Sequence, residues 1–152
     1  DALVIFGPYV NSYRRFTRYL AAPINVQWGY DNRTVGLRVP SADPENRRVE
    51  NRIPGADVNP YLAIATSLAC GYMGMIEGLT ATEPTTGSAY QSEQGLARDL
   101  FVAVDLLEAC PQLHDILGPA FVELYCAIKR VEHQDYFQVI SPWEREHLLL
   151  NV

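Results

Sequence analysis

Hydrophobic and polar residues alternate along the first third of the chain. The alternation covers residues 23–29, 34–39 and 47–53, and this period of two is typical of strands that bury one face. A turn signal at residues 31–32 and a polar loop over residues 40–46 separate the three segments. Because the connections are short, the pattern predicts a small antiparallel sheet.

An apolar run over residues 2–6 also predicts a strand, which residues 7–9 end with Gly-Pro-Tyr. After residue 55 the hydrophobic period changes to 3.6. Asn59 and Pro60 form a helix start, because asparagine caps and proline suits the first helical position, and Gly78 ends this helix. Further helices are predicted over residues 96–109, 111–118 and 119–133, and from Ser141 onward.

These elements predict an α+β fold in a single unit, residues 1–152. A small antiparallel sheet occupies residues 1–54, and about four to five α-helices pack with it over residues 55–152. Within the helical part, residues 80–94 are polar and rich in turn residues, which predicts an exposed, mobile loop. The first long helix is expected to pack a stripe against the rear of the sheet, formed by Leu62, Ala65, Ala69 and Ile76.

One face of the predicted sheet is unusually charged. Arg48, Glu50 and Arg52 alternate with apolar or amide residues, so they point to one face, and Arg38 lies opposite the apolar side of its own strand. Several guanidinium groups around one carboxylate are unfavourable if they serve stability alone, because like charges repel and buried charges need partners. Such a face suits a polyanion and its metal ion.

Composition supports a globular chain with an anion-binding half. The 152 residues are 48% hydrophobic and 20% charged, which is ordinary for one globular domain. Residues 1–52 hold eight arginines against five acids, whereas residues 53–152 hold four basic groups against thirteen acids. Arginine matches phosphate and carboxylate oxygens with a planar fork. The acidic remainder would repel a long phosphate backbone, so nucleic acid is a disfavoured partner.

Other function classes lack a signal. Cys70, Cys110 and Cys126 are far apart in the sequence and are predicted to be reduced thiols in the core. The three histidines lack the spacing of a zinc site. No apolar run reaches the length of a membrane span and no signal peptide is visible, so we expect no membrane partner and a cytoplasmic location. The start at Asp1 without an initiator methionine is consistent with a piece of a longer protein.

Five short motifs follow one another along the chain. They are Asn-Ser-Tyr-Arg-Arg at 11–15, Ala-Pro at 22–23, Asn-Arg and Arg-Val-Pro within 32–40, Arg-Val-Glu-Asn-Arg at 48–52, and Asn-Pro-Tyr-Leu-Ala at 59–63. Their order and spacing resemble the C-terminal catalytic domain of glutamine synthetases across roughly the whole chain. Within that family the chain looks most similar to the branch that joins glutamate to amines, the gamma-glutamylpolyamine (glutamylputrescine) synthetases.

The resemblance implies roles for the substrate and metal ligands. Arg15 would hold the α-carboxylate of glutamate, and Arg52 would bind its side-chain end as that end becomes an acyl phosphate. Glu50 would coordinate a Mg²⁺ or Mn²⁺ ion, because hard divalent cations take carboxylate oxygens. Arg33 and Arg52 would be the catalytic residues.

The nucleotide would be held by three arginines. Arg33 and Arg38 would contact the phosphates of ATP and the transferring phosphoryl group, and Arg48 would lie along the nucleotide. Phosphoryl transfer depends on charge neutralisation more than on covalent chemistry, so the residue types suit these roles. The bland alternative for any one of these arginines is an ion pair with an acid at a solvated sheet edge.

The implied activity is an ATP-dependent ligase that joins the γ-carboxylate of glutamate to an amine through γ-glutamyl phosphate. Members of the family act as ring-type homo-oligomers in which other parts of the protein complete the site, so this segment alone would be inactive. Two alternatives stay open: an ordinary ammonia-using glutamine synthetase, and a non-catalytic relative that keeps the fold for binding or regulation.

One position departs from the ammonia-using family members. They carry a glutamate immediately before the Ala-Pro dipeptide, which closes over the site and helps to take a proton from ammonium. Here that position is Ala21, and a methyl group neither holds a cation nor accepts a proton. The departure predicts a preference for a primary alkyl amine or polyamine over ammonium, unless another acid replaces the missing glutamate.

Overall fold

Six α-helices and a three-stranded sheet form the described part of the chain, residues 1–18 and 20–151, in a computed structural model. The helices are α1 (Leu3–Phe6), α2 (Pro60–Ile76), α3 (Leu100–Glu108), α4 (Pro111–Leu117), α5 (Pro119–Phe137) and α6 (Pro142–His147). The strands are β1 (Trp28–Tyr30), β2 (Leu37–Val39) and β3 (Glu50–Asn51). The predicted α+β class, with a small sheet in the first third and helices after it, is confirmed.

The sheet has the order β1-β2-β3, and its two pairings differ in direction. β2 and β3 are antiparallel as predicted, with Arg38 directly opposite Glu50. The pairing of β1 with β2 is parallel, which corrects the expectation of an antiparallel sheet throughout. The connection folds back along β1, so the amides of Gly36 and Leu37 both donate to the carbonyl of Gln27 at 2.9 and 3.1 Å.

The apolar run at the start of the chain is helical, so the predicted strand over residues 2–6 is wrong. All four residues of α1 are buried, and the helix packs against α2 and α3. A short run that is apolar on every side has no periodicity that distinguishes a buried strand from a buried helix. The local pattern therefore could not decide this element, and its tertiary surroundings did.

Helix α2 begins where the sequence predicted. The Asn59 side chain accepts hydrogen bonds from the amides of Tyr61 and Leu62 at 3.0 and 3.3 Å, and a proline occupies the first helical position. The buried face is formed by Ala63, Thr66 and Ala69 and packs against α1 and α4.

The expected stripe on α2 is only partly correct. Leu62 is half-buried and Ala69 is buried, but Ala65 and Ile76 are exposed. The helix contains no charged residue, so its sequence does not mark one face as polar and the stripe could not be assigned by periodicity. A hydrogen bond from Asn51 Nδ2 to Ser67 Oγ at 3.1 Å connects α2 to the sheet.

The remaining helices confirm the sequence prediction. α3, α4 and α5 pack on one another, and their buried side chains include Leu100, Val104, Leu107, Leu113, Val122 and Cys126. α6 starts at the predicted capping box, in which Ser141 and Glu144 bond each other's backbone amides. The three cysteines are free thiols, as expected. No helix among the described residues is long and apolar enough to cross a membrane.

Residues 80–94 lie against the sheet, and their second half is not the exposed loop that was predicted. Ala89 and Tyr90 are 0% and 7% exposed. The amide of Thr85 donates to the Trp28 carbonyl at 2.8 Å, and the amide of Ala89 donates to Thr34 Oγ1 at 2.8 Å. Polar composition gave no hint of this burial, because here the buried contacts are made mainly by backbone groups that any sequence supplies.

Replacing Ala69 by leucine is expected to destabilise the protein by roughly 1–3 kcal/mol, because Ala69 is 4% exposed and added methylenes overpack its contacts. Ala65→Leu on the exposed side of the same helix is the matched control and is expected to change stability by less than about 0.5 kcal/mol. Urea denaturation measures both. Equal unfolding midpoints for the two variants would contradict the packing of α2.

Candidate functional site

A single carboxylate between two arginines forms the centre of the charged sheet face. Arg38 Nη1 donates to Glu50 Oε2 at 2.9 Å, and Arg52 Nη1 donates to Glu50 Oε1 at 3.1 Å. The geometry follows from the strands, because Arg38 lies opposite Glu50 across the antiparallel pair and Arg52 is two residues along the same chain. The sequence predicted one face for Arg48, Glu50 and Arg52, and the structure shows Glu50 and Arg52 together with Arg38 from the neighbouring strand.

Each arginine also has a second partner outside this pair of strands. Arg38 Nη2 donates to Asp31 Oδ1 at 2.9 Å, and Asp31 Oδ1 also accepts the amide of Ser41 at 2.9 Å. Arg52 Nη2 donates to the carbonyl of Ala21 at 2.9 Å. The two guanidinium groups therefore join the sheet to the turn after β1 and to the segment that carries Ala21.

The pKa values of the paired side chains reflect these ion pairs. The pKa of Glu50 lies below its usual value, mainly because of the hydrogen bond from Arg38; partial burial opposes the shift and Arg52 adds to it. The pKa of Asp31 is also lowered, chiefly by the Ser41 amide and then by Arg38. The same carboxylates raise the pKa of Arg38. Glu50 is therefore an anion at neutral pH.

A cavity of about 570 Å³ opens over this cluster. It is lined by Ala21, Arg33, Thr34, Arg38, Glu50, Arg52 and Tyr90. Three arginines against one glutamate leave an excess of positive charge on the lining. The Nε atoms of Arg38 and Arg52 are buried and have no hydrogen-bond partner within the described residues. A lining of this kind suits an anionic ligand.

Four of the six predicted site residues meet at this cavity: Arg33, Arg38, Glu50 and Arg52. Arg15 is not among the lining residues. Its Nη1 donates to the Ile53 carbonyl at 3.0 Å, and its Nη2 donates to the carbonyls of Arg52 and Pro54 at 3.2 and 3.3 Å. Burial lowers the pKa of Arg15, and Asp57 opposes this effect.

Arg48 lies apart from the cluster. It is exposed, its Nη1 donates to the carbonyl of Asn46 at 3.2 Å, and it is not among the lining residues. In the sequence Arg48 precedes Glu50 by two positions, so the alternation predicted the same face for both side chains. The strand pairing itself covers only Glu50 and Asn51, which leaves Arg48 outside the paired sheet.

Sequence reasoning missed three residues of the site. Asp31 was treated only as part of a turn signal, although an acid seven residues before an arginine across a tight turn can reach it. Thr34 and Tyr90 gave no signal, because their places depend on residues 85–90 returning to the sheet. Asn32 Nδ2 holds that return by donating to the carbonyls of Thr85 and Gly87 at 3.0 and 2.8 Å.

A divalent metal would find one carboxylate here. The described residues contain no cluster of three or more histidine, cysteine or acidic side chains that could hold an ion alone. Mg²⁺ commonly binds through one or two carboxylates together with substrate phosphates and water, so Glu50 beside an anion-binding lining fits it as one ligand of several. Both Glu50 oxygens are bonded to arginines, so such an ion would compete with at least one of these bonds.

Glu50→Gln is expected to lower stability at neutral pH by about 1 kcal/mol, a value typical of partly exposed ion pairs. Because the folded-state pKa of Glu50 is lowered, its contribution is present above the unfolded pKa near 4.5 and is lost as the pH falls through the folded value. The difference from wild type should therefore shrink below about pH 4.5.

Urea denaturation at several pH values between about 3 and 7 measures this difference. Glu45→Gln, in the short exposed 3₁₀ helix before β3 (Pro44–Asn46), is the control, and its stability should follow that of wild type at every pH. A Glu50→Gln deficit that stays constant down to pH 3 would contradict the ion-pair assignment.

Comparison with known proteins places this geometry in a family. The gamma-glutamylethanolamide synthetase of Streptomyces coelicolor is 37% identical and matches 93% of this chain and 30% of its own length. The gamma-glutamylputrescine synthetase of Escherichia coli is 35% identical and matches 99% of this chain and 32% of its own length. The glutamine synthetase of Methanocaldococcus jannaschii is 34% identical and matches 97% of this chain and 35% of its own length. The chain thus spans about a third of the length of these relatives.

Solved structures agree with the sequence relatives. The apo form of GmaS superposes with a TM-score of 0.83 and its ADP complex with 0.85, each at 32% identity over 97% of this chain and about a third of that protein. The family model described as glutamine synthetase, catalytic domain, matches residues 1–148. The resemblance in the five ordered motifs is therefore confirmed, and the chain belongs to the glutamine synthetase catalytic-domain family.

Proposed function

We propose that the protein is an ATP-dependent ligase that forms an amide between the γ-carboxylate of glutamate and a primary amine. The observation that carries this proposal is the lining of one cavity by Arg33, Arg38, Glu50 and Arg52. The same residues lie in the motifs that resemble the family. Three relatives with the names of glutamate-amine ligases are 37%, 38% and 35% identical to this chain.

The reaction proceeds in two displacements. A γ-carboxylate oxygen of glutamate attacks the terminal phosphorus of ATP, the bond from that phosphorus to the bridging oxygen breaks, and ADP leaves. The amine nitrogen then attacks the acyl carbon, the carbon–oxygen bond to the phosphate breaks, and inorganic phosphate leaves while the nitrogen loses a proton. Negative charge accumulates on phosphate oxygens in both steps, so the cationic lining lowers both barriers.

The arginines bind different anionic groups of the two substrates. Arg33 and Arg38 face the nucleotide phosphates and the transferring phosphoryl group, and Arg48 lies along the nucleotide. Arg52 holds the γ-carboxyl end of glutamate, and Arg15 holds its α-carboxylate. In that role Arg15 exchanges part of its hydrogen bonding to three backbone carbonyls for the substrate.

Glu50 would supply one carboxylate oxygen to a bound Mg²⁺ or Mn²⁺ ion. The metal, when bound, neutralises phosphate charge and screens its repulsion from the attacking carboxylate. The ADP complex of the GmaS relative supports a nucleotide in the same fold. Other ligands, and the neighbouring subunits of a ring-type homo-oligomer, complete the site in the full-length protein.

The second candidate is an ordinary ammonia-using glutamine synthetase, which the 34% identity to the Methanocaldococcus jannaschii enzyme favours. Phosphate release by the full-length protein with ATP, glutamate and a panel of amines tests both readings. Release with alkyl amines supports the first, release with ammonium alone supports the second, and no release under any condition points to a non-catalytic relative.

Glu50→Ala in the full-length protein is expected to reduce metal-dependent phosphate release by about 100-fold or more. Loss of even an outer partner of a metal ligand commonly costs about 10- to 100-fold, and here the ligand itself is removed. Glu45→Ala is the control, and circular dichroism verifies the fold of both variants. Unchanged release at limiting Mg²⁺ would remove Glu50 from the metal site.

The nature of the amine depends on Ala21, which lines the cavity. Wild-type protein is expected to prefer a primary alkyl amine or polyamine to ammonium, and Ala21→Glu is expected to shift the preference towards ammonium by restoring an anchor and a proton acceptor. Ala21→Gln is the matched control, since it has nearly the same size but no charge.

The measurement is kcat/KM for ammonium against putrescine, spermidine and ethanolamine at one pH. A wild-type preference for ammonium of tenfold or more, about 1.4 kcal/mol, would contradict the amine-ligase proposal and leave an ordinary glutamine synthetase.

A further inference from the structure

Asp31 has a left-handed backbone conformation at the turn after β1. Its φ is 46°, a value that costs free energy in a residue with a side chain, although aspartate tolerates it better than most. Its amide donates to the carbonyl of Val39 at 3.0 Å, and Val39 follows Arg38 on β2. Strained residues of this kind persist only where their surroundings hold them, and they cluster at functional sites.

The carboxylate of Asp31 is fixed against the guanidinium group of Arg38. Asp31 Oδ1 accepts hydrogen bonds from Arg38 Nη2 and from the Ser41 amide, both at 2.9 Å. A half-exposed ion pair alone orients its partners weakly. Here the backbone amide of Ser41 holds the same oxygen, and the Asp31 backbone is bonded to Val39. The carboxylate therefore has a defined position relative to Arg38.

Arg38 has a second carboxylate partner, Glu50, whose position is different. Glu50 lines the cavity, and in the proposed function it would give one oxygen to a metal ion in competition with its bonds to arginine. Asp31 is not among the lining residues, and it bonds the other terminal nitrogen of Arg38. Arg38 thus keeps one charged partner when Glu50 exchanges its own.

We propose that Asp31 is a positioning residue that holds the Arg38 guanidinium group in place for phosphoryl transfer while Glu50 binds the metal. The proposal rests on the proposed function and adds to it a residue outside the cavity. Arg38 Nη1, once released by Glu50, donates to a phosphate oxygen without reorientation of the guanidinium group. A donor that is already oriented stabilises the charge that develops in the transition state most effectively.

Asp31→Gly and Asp31→Asn in the full-length protein test this role. Glycine adopts the left-handed turn freely and removes the carboxylate, whereas asparagine tolerates the turn and keeps an oxygen acceptor without the charge. We expect kcat for phosphate release to fall by about 10- to 100-fold in Asp31→Gly and by less in Asp31→Asn, because a misplaced group costs up to about 100-fold. Asp43→Asn, an exposed acid between β2 and β3, is the control and should keep the wild-type kcat.

Nucleotide binding separates positioning from a general loss of structure. Removal of one carboxylate makes the surroundings of the cavity more positive, so ATP and ADP should not bind more weakly. We expect KM for ATP, and Kd for ADP measured by calorimetry at one Mg²⁺ concentration, to stay within about twofold of wild type or to decrease. Circular dichroism verifies the fold of each variant.

The variant Arg38→Ala shows whether Asp31 acts through this arginine. In the Arg38→Ala background, Asp31→Gly should change kcat by less than about twofold, because the group that Asp31 positions is absent. A fall in kcat as large as that in the wild-type background would contradict the proposed role.

The outcomes distinguish the two proposals. A wild-type kcat in a folded Asp31→Gly protein overturns the role of Asp31 and leaves the ligase proposal intact. A Kd for ADP that rises by the same factor as kcat falls also overturns it, since Asp31 would then serve the fold of the site. Absence of any phosphate release in wild type overturns the proposed function, and the role of Asp31 with it.

Discussion

The structure of the site depends on one carboxylate shared by two guanidinium groups. Arg38 and Arg52 are only 17% and 16% exposed at their side chains, and without Glu50 between them their charges would repel in a partly dehydrated setting. The same interaction connects β2 to β3, which are three and two residues long and have few ladder hydrogen bonds of their own. The charge cluster that suits an anionic ligand is therefore also what holds this part of the sheet together.

Because of this double role, the ion-pair partners within the cluster can be exchanged for ligands. Glu50 neutralises the arginines within the protein, so a phosphate that approaches them offers the guanidinium groups a second anion, and a divalent cation offers Glu50 a replacement for an arginine. Each partner reduces the cost of releasing the other, because neither a bare carboxylate nor a bare guanidinium group is left behind. Arg52 also donates to the Ala21 carbonyl, which connects the cluster to the segment that carries Ala21.

Local periodicity predicted the parts of this arrangement that local geometry controls. A period of two placed Glu50 and Arg52 on one face, and capping residues located the starts of α2 and α6, because both effects act within a few residues. α1 was not predicted because a short apolar run is compatible with a buried strand or a buried helix. The parallel pairing of β1 was not predicted because a short connection suggested an antiparallel pair. Tyr90 escaped because its position depends on contacts 55 to 68 residues away in the chain.

Helix α2 relates this segment to the larger catalytic unit of its relatives. It carries no charged residue, and its outward side includes Tyr61, Ile64, Leu68 and Met75, each more than 60% exposed here. A helix that is apolar all round is typical of a protein interior. Among the residues that line the cavity, Glu50 is the one carboxylate. The chain spans about a third of the length of its relatives.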